Sequence, residues 1–240
     1  METELQRFLQ VWSTATASLC YCYYVVSGIP KGFTRLISIL PVITLFTLLP
    51  FSLQTFHLGA PTAFIFLWLA NFKLLLFAFD LGPLSPNPNP KPISLFLATA
   101  SFPINLREIK IPNPPTPNRL NKSSFILLVK LILVFSVICL FQFDYKRILH
   151  PDVVLAVYCF YMYLAVETVL ALSVAPVRAL LGRRFEVDPQ FNAPYLSTSL
   201  QDFWGRRWNL MVPLILRPSV YGPVRRLLAS TTGPRTASFF

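Results

Sequence analysis

The sequence predicts an all-α, polytopic membrane protein: about five transmembrane helices followed by a C-terminal interfacial or re-entrant segment. Three observations carry this expectation. Apolar residues make up 54% of the 240 and mean hydropathy is +0.56, whereas only 13% are charged, about half the share usual in soluble domains. Apolar runs recur at close to the ~20 residues needed to cross a hydrocarbon core of ~30 Å. Between them lie stretches rich in proline, asparagine and basic residues, which cannot continue a helix.

The first run, residues 8–27, carries serines, threonines and the tyrosines Tyr21, Tyr23 and Tyr24, and Gly28, Pro30 and Gly32 end it. It is the weakest by hydropathy. The N-terminus has Glu2, Glu4 and Arg7, not the positive head of a signal peptide, so this run is read as retained. The second, residues 33–53, includes Pro41 and Pro50, tolerable in a membrane when neighbours satisfy the freed carbonyls. The third, residues 60–81, is apolar except for Asn71 and Lys73. Residues 82–92, GPLSPNPNPKP, form a linker. Residues 93–104 are apolar but too short to span, which suggests an interfacial or re-entrant piece. Residues 112–117 repeat the Pro/Asn composition amid Arg107, Lys110, Arg119 and Lys122. A fourth run, residues 123–143, holds Lys130; a polar turn covers 144–150; the fifth run, residues 151–173, holds Glu167. Past Pro176 the character changes. The organisation is therefore a multi-span region, 1–176, with a proline-rich loop at 82–122, followed by a distinct region, 177–240. There, residues 210–230 are apolar but interrupted by Pro213, Pro218, Pro223, Arg217, Arg225 and Arg226.

Lys and Arg total 21 against 10 Asp and Glu. In a soluble protein that excess suggests nucleic acid. Here it lies between apolar runs, so topology and lipid headgroups explain it, and the bilayer rather than nucleic acid is the expected partner. With five spans, and Lys73 and Lys130 set aside within them, Arg7, Lys146 and Arg147 fall on one side and the other 16 cations, Lys31 and Arg35 among them, on the opposite one. That bias makes the proline-rich loop and the region around residue 200 cytosolic. Lys73 and Glu167, each costing about 2.5–3.5 kcal/mol within a bilayer, are expected to pair with each other or line a polar tunnel, and Lys130 to snorkel. The four cysteines, Cys20, Cys22, Cys139 and Cys159, sit in apolar runs without a CxxC and read as small hydrophobes. There is no metal-ligand spacing, glycine-rich phosphate loop or GxSxG, so no metal is expected. His57 and His150 lie at the edges of runs and read as interface residues.

The densest chemistry is at residues 200–209, LQDFWGRRWN. A helix over 199–211 would place Leu200, Trp204, Trp208 and Met211 on one apolar stripe and Asp202, Arg206 and Asn209 on a polar seam. Asp202 would then pair with Arg206. By itself this is an amphipathic interfacial element, its tryptophans at headgroup depth.

The longer stretch 191–209, FNAPYLSTSLQDFWGRRWN, closely resembles the signature of plant wax synthases, acyltransferases related to the wider membrane-bound O-acyltransferase group. Plant acyl-CoA:sterol acyltransferases are similar, and the proline-interrupted multi-span chain resembles the family over nearly its whole length. The resemblance implies an enzyme of the endoplasmic reticulum that transfers an acyl group from fatty acyl-CoA to a long-chain alcohol, or alternatively to a sterol, with acyl-CoA as co-substrate and no cofactor. It makes Asn209 one half of a catalytic pair. Arg206 and Arg207 are candidates for meeting CoA phosphates, and Asp202, Trp204 and Trp208 complete the candidate binding region. The family's partner histidine follows the asparagine, and none follows Asn209 here. The resemblance therefore implies a C-terminally truncated member, not expected to catalyse alone. The reading from another class is a non-catalytic membrane protein or regulator. A transporter would suit Lys73 and Glu167, but the chain lacks two related halves.

Overall fold

A computed structural model describes residues 3–85, 91–108, 117–143, 149–181, 185–188 and 190–232. The expectations for the proline-rich stretches at 86–90 and 111–116, the turn at 144–148 and the tail from residue 233 lie outside the described residues. The chain forms two compact units: residues 1–106 with 187–240, and residues 107–186.

The first unit begins with α1 (Glu4–Tyr24), whose start is fixed by a capping box. The Thr3 hydroxyl accepts from the Gln6 amide and the Gln6 side chain accepts from the Thr3 amide, satisfying donors the first turn leaves free. Val11, Ala15, Leu19 and Cys22 recur at helical spacing and are buried. Outside that stripe lie Ser13, Thr16 and Ser18, whose hydroxyls donate to carbonyls three or four residues back. Internal donation of this kind makes hydroxyls tolerable in lipid. After a 3₁₀ turn (Val26–Gly28) comes α2 (Phe33–Leu48), which contains Pro41 and buries Arg35, Ile39, Val42 and Phe46 at the same spacing.

The third helix, α3 (Phe56–Ala78), holds Pro61 and widens to a π-helical segment, Phe64–Ala70. The proline lacks an amide proton and cannot continue the ordinary ladder. Short α4 (Ile93–Ser101) packs Leu95, Phe96 and Ala100 into the core. Rings bind these helices together, with Trp12–Phe66 at 5.1 Å, Phe46–Phe66 at 4.9 Å and Phe77–Phe96 at 5.5 Å between centroids.

Arg35, counted with the loop cations at the start of the second run, lies inside α2 and is 5% exposed. Its guanidinium donates to the Ile29 and Phe77 carbonyls, pairs with Asp80 and lies over the Phe77 ring. A buried guanidinium is tolerable only with this many partners.

The second unit holds α5 (Pro117–Leu140) and α6 (Pro151–Leu181). They meet through Phe141, 5.1 Å from Tyr158 and 5.4 Å from Tyr161, and through an ion pair of 2.6 Å between Lys130 and Glu167. This corrects the expected pairing. Glu167 takes Lys130, which therefore does not snorkel, and Lys73 finds carbonyls instead. Phe125, Phe135, Leu155 and Met162 are exposed, a surface suited to lipid.

Where the chain leaves the first unit and returns to it, three-residue strands β1 (Leu106–Glu108) and β2 (Phe185–Val187) pair. This ribbon is an addition to the expected all-α fold. Among the described residues three helices are long and apolar enough to cross a membrane: Phe33–Ser52, Phe56–Ala78 and Pro151–Thr168. The apolar helix Phe125–Leu140 is shorter. The first expected span is helical but two-faced.

Candidate functional site

The segment with the densest chemistry is anchored at its start. Asp188 and Asn105 exchange two hydrogen bonds: the Asp188 amide donates to the Asn105 carbonyl (3.0 Å), and the Asn105 side chain donates to the Asp188 carboxylate (2.6 Å). Gln190, 9% exposed, donates through Nε2 to the Pro103 carbonyl. Ala193 then adopts φ +42°, and a 3₁₀ turn (Pro194–Leu196) leads to Ser199. The Ser199 hydroxyl caps α7 (Leu200–Asp202) by accepting from the Asp202 amide at 3.0 Å.

Directly after α7 the backbone widens into a π-turn, Phe203–Arg207, closed by the Trp208 amide on the Phe203 carbonyl at 2.8 Å. This one turn corrects two expectations. A π-turn brings residue i+5, not i+4, over residue i, so Asp202 pairs with Arg207 (2.6 Å) and not with Arg206. The helix also stops there: Asn209 has φ +42°, so Leu200, Trp204, Trp208 and Met211 do not form a continuous stripe. Leu200 and Trp204 are exposed, Trp208 is half-buried, and Met211 is buried.

Arg207 closes the segment on itself. Its Nη1 donates to the carbonyls of Asn192 (3.3 Å) and Ala193 (3.4 Å), and its own carbonyl accepts from the Asn192 amide (2.9 Å). The Arg207 hydrogen bond holds the Asp202 carboxyl below the usual carboxylate range, with help from the Thr198 amide. Over this frame lie four rings. Trp208 stacks on Phe203 at 5.3 Å and meets Phe191 edge-on at 5.0 Å and Trp204 at 6.2 Å.

Two polar side chains are left over. Arg206 is exposed and the carboxamide of half-buried Asn209 faces no bonded neighbour; neither makes a side-chain hydrogen bond or ion pair among the described residues. Arg206 is thus a free cation, whereas Arg207, Asp202 and Trp208 build the frame. The next helix, α8 (Met211–Leu216), seats Met211 and Ile215 against Leu69, Leu76, Trp68 and Phe72 of α3. It continues as a π-turn (Arg217–Tyr221) into α9 (Gly222–Thr232).

His57 is exposed at the start of α3, edge-on to Phe56, roughly 16 Å along the helix from Trp68. His150 lies in the other unit, 3.3 Å from Asp152. Sequence reasoning missed Gln190, Asn105, Asp188 and the carbonyl partners of Lys73. Their partners are distant in sequence, and no spacing rule signals them.

The model of the membrane bound O-acyl transferase family matches residues 187–240, which include the segment just described. Over its whole length the chain is 47% identical to a probable long-chain-alcohol O-fatty-acyltransferase of Arabidopsis thaliana, covering 69% of that protein. It is 46% identical to the long-chain-alcohol O-fatty-acyltransferase of Simmondsia chinensis, with 95% of this chain and 65% of the relative aligned. It is 44% identical to an acyl-CoA–sterol O-acyltransferase of Arabidopsis thaliana, with the same two shares. The chain thus spans about two thirds of the length of these relatives. No solved structure matches it.

Proposed function

The chain belongs to the plant long-chain-alcohol O-fatty-acyltransferase family, and from that premise we propose that it serves acyl transfer from fatty acyl-CoA to the hydroxyl of a long-chain alcohol, giving a wax ester. The observation that carries the reading is Asn209. It stands in a left-handed turn with an unbonded carboxamide, within the segment 187–240 that matches the family model.

In the reaction the alcohol oxygen forms a bond to the thioester carbonyl carbon, the C–S bond breaks, and the hydroxyl proton ends on the CoA thiol. Charge gathers on the carbonyl oxygen, and a preorganised amide N–H lowers that barrier. Asn209 can donate such a hydrogen bond or orient the acceptor, but an amide is no base near neutral pH. The base is assigned by family resemblance to a histidine beyond the asparagine. His57 and His150 both precede Asn209 in the sequence, and the resemblance assigns the role to neither. The free guanidinium of Arg206 suits a CoA phosphate, being planar, permanently charged and unpaired. Arg207 is already committed to Asp202, Asn192 and Ala193. Trp204, more than half exposed, offers an apolar face to an acyl chain. No cofactor is needed, since the thioester is already activated. The protein is a multi-pass membrane protein, and we place it in the endoplasmic reticulum with this segment facing the cytosol, where acyl-CoA is available.

The 44% identity to a sterol acyltransferase favours sterol as the second acceptor. Microsomes from yeast deficient in neutral-lipid esterification, expressing the chain, are to be given labelled palmitoyl-CoA with hexadecanol or with a sterol. The chain alone is expected to bind the acyl-CoA without turnover; joined to the histidine-bearing C-terminal part of a relative, it is expected to give wax ester above the empty-vector control, and steryl ester alone would move the assignment to the second acceptor. Neither ester, together with no acyl-CoA binding, would overturn the proposal.

A further inference from the structure

The turn that follows α4 is held from two directions. From α3, the fully buried Lys73 donates through Nζ to the Thr99 carbonyl at 2.5 Å and the Phe102 carbonyl at 2.8 Å. No carboxylate meets it among the described residues. The end of α4, where unsatisfied carbonyls gather, takes the place of a counter-ion. The Phe102 carbonyl also accepts from the Ile104 amide at 2.8 Å, closing a tight turn around Pro103. From the other side, buried Gln190 donates to the Pro103 carbonyl.

Gln190 reaches further. Its backbone carbonyl accepts from the Leu210 amide at 2.9 Å, and Leu210 directly follows Asn209. The residue after that, Met211, packs against Leu69 and Leu76. These lie four residues before and three after Lys73, so all three share one face of α3. The left-handed turn at Asn209 is therefore pinned to α3 by two routes. One is apolar, through Met211. The other is polar, running from Lys73 through the turn at 99–103 and Gln190 to Leu210.

We propose that Lys73 and Gln190 are positioning residues that fix the Asn209 carboxamide relative to α3. Neither touches substrate; each acts through backbone that Asn209 depends on. The functional meaning rests on reading Asn209 as substrate-facing, but the geometric claim can be tested without any acyl transfer.

The test uses the full chain in lipid nanodiscs, carrying Asn209→Cys with Cys20, Cys139 and Cys159 changed to serine and native Cys22 kept. Cys22 is fully buried in the core and reports global loosening. Labelling by a water-soluble maleimide is followed at both thiols by mass spectrometry. Lys73→Met removes the donors, and Lys73→Arg keeps them. Gln190→Glu keeps the size, but a carboxylate cannot donate to the Pro103 carbonyl. Labelling at position 209 is expected to rise about tenfold with Lys73→Met and with Gln190→Glu, a local loosening of about 1.4 kcal/mol. It should stay near the parent rate with Lys73→Arg, and Cys22 should stay protected throughout. Unchanged labelling at 209 in Lys73→Met and Gln190→Glu would overturn the proposal. So would a parallel rise at Cys22, which would show a general packing role only. Failure here would leave the acyltransferase assignment standing, and an absence of ester formation would leave this result standing.

Discussion

Asp202 shows how much of the site is frame and how little is free. Its carboxylate accepts from Arg207 Nε (2.6 Å) and the Thr198 amide (3.4 Å), and those donors hold its pKa below the ordinary carboxylate value. A group with a depressed folded pKa contributes stability that is present above the unfolded pKa and lost as pH falls through the folded one. Hydrogen exchange over residues 192–208, corrected for the intrinsic pH dependence, should therefore accelerate on acidification through and below the usual carboxylate range. In Asp202→Asn it should be faster already at neutral pH and lack that acid step. An identical acid step in the variant would show that another carboxylate is responsible. Arg206, the neighbouring cation, adds only its charge to that effect, without a hydrogen bond, and remains available to a ligand.

At the scale of elements, the sequence made the helices readable wherever apolar spacing reported a buried face. Val11, Ala15, Leu19 and Cys22 are an example, as are Ile39, Val42 and Phe46. The short α4 follows from the length of its apolar run. What spacing could not report is a change of helical register. Ordinary periodicity puts Arg206 over Asp202; the π-turn puts Arg207 there, and nothing local to FWGRR dictates that widening. Lys73 presents the same difficulty, since its partners are backbone carbonyls, which any sequence possesses. Chain reversal after α3 depends on Gly82, at φ +73°. A Cβ there would come within 2.9 Å of Leu76 Cδ1 and 3.0 Å of its Cβ. Gly82→Ala should cost about 1–3 kcal/mol from strain and overlap, read as a lower melting temperature in detergent. An unchanged melting temperature would mean the reversal does not need the left-handed conformation.

For the molecule as a whole, the exposed apolar helices, the hydroxyls bonded to their own helices and the internal pairing of Lys130 with Glu167 all suit a lipid surrounding. Arg35, with Asp80, Phe77 and the Ile29 carbonyl, closes the α2–α3 corner. The candidate site is built on α3 and α4 but made from residues more than eighty positions later. That is why its chemistry was legible from the motif and its support was not. The central claim is that residues 190–217 meet acyl-CoA, and photo-crosslinking tests it most directly. Microsomes containing the chain are irradiated with a diazirine acyl-CoA, and the labelled peptides are mapped by mass spectrometry. Adducts should concentrate within residues 190–217 and disappear when excess unlabelled acyl-CoA competes. Adducts that resist competition, or that lie only on the outer faces of α5 and α6, would contradict the claim.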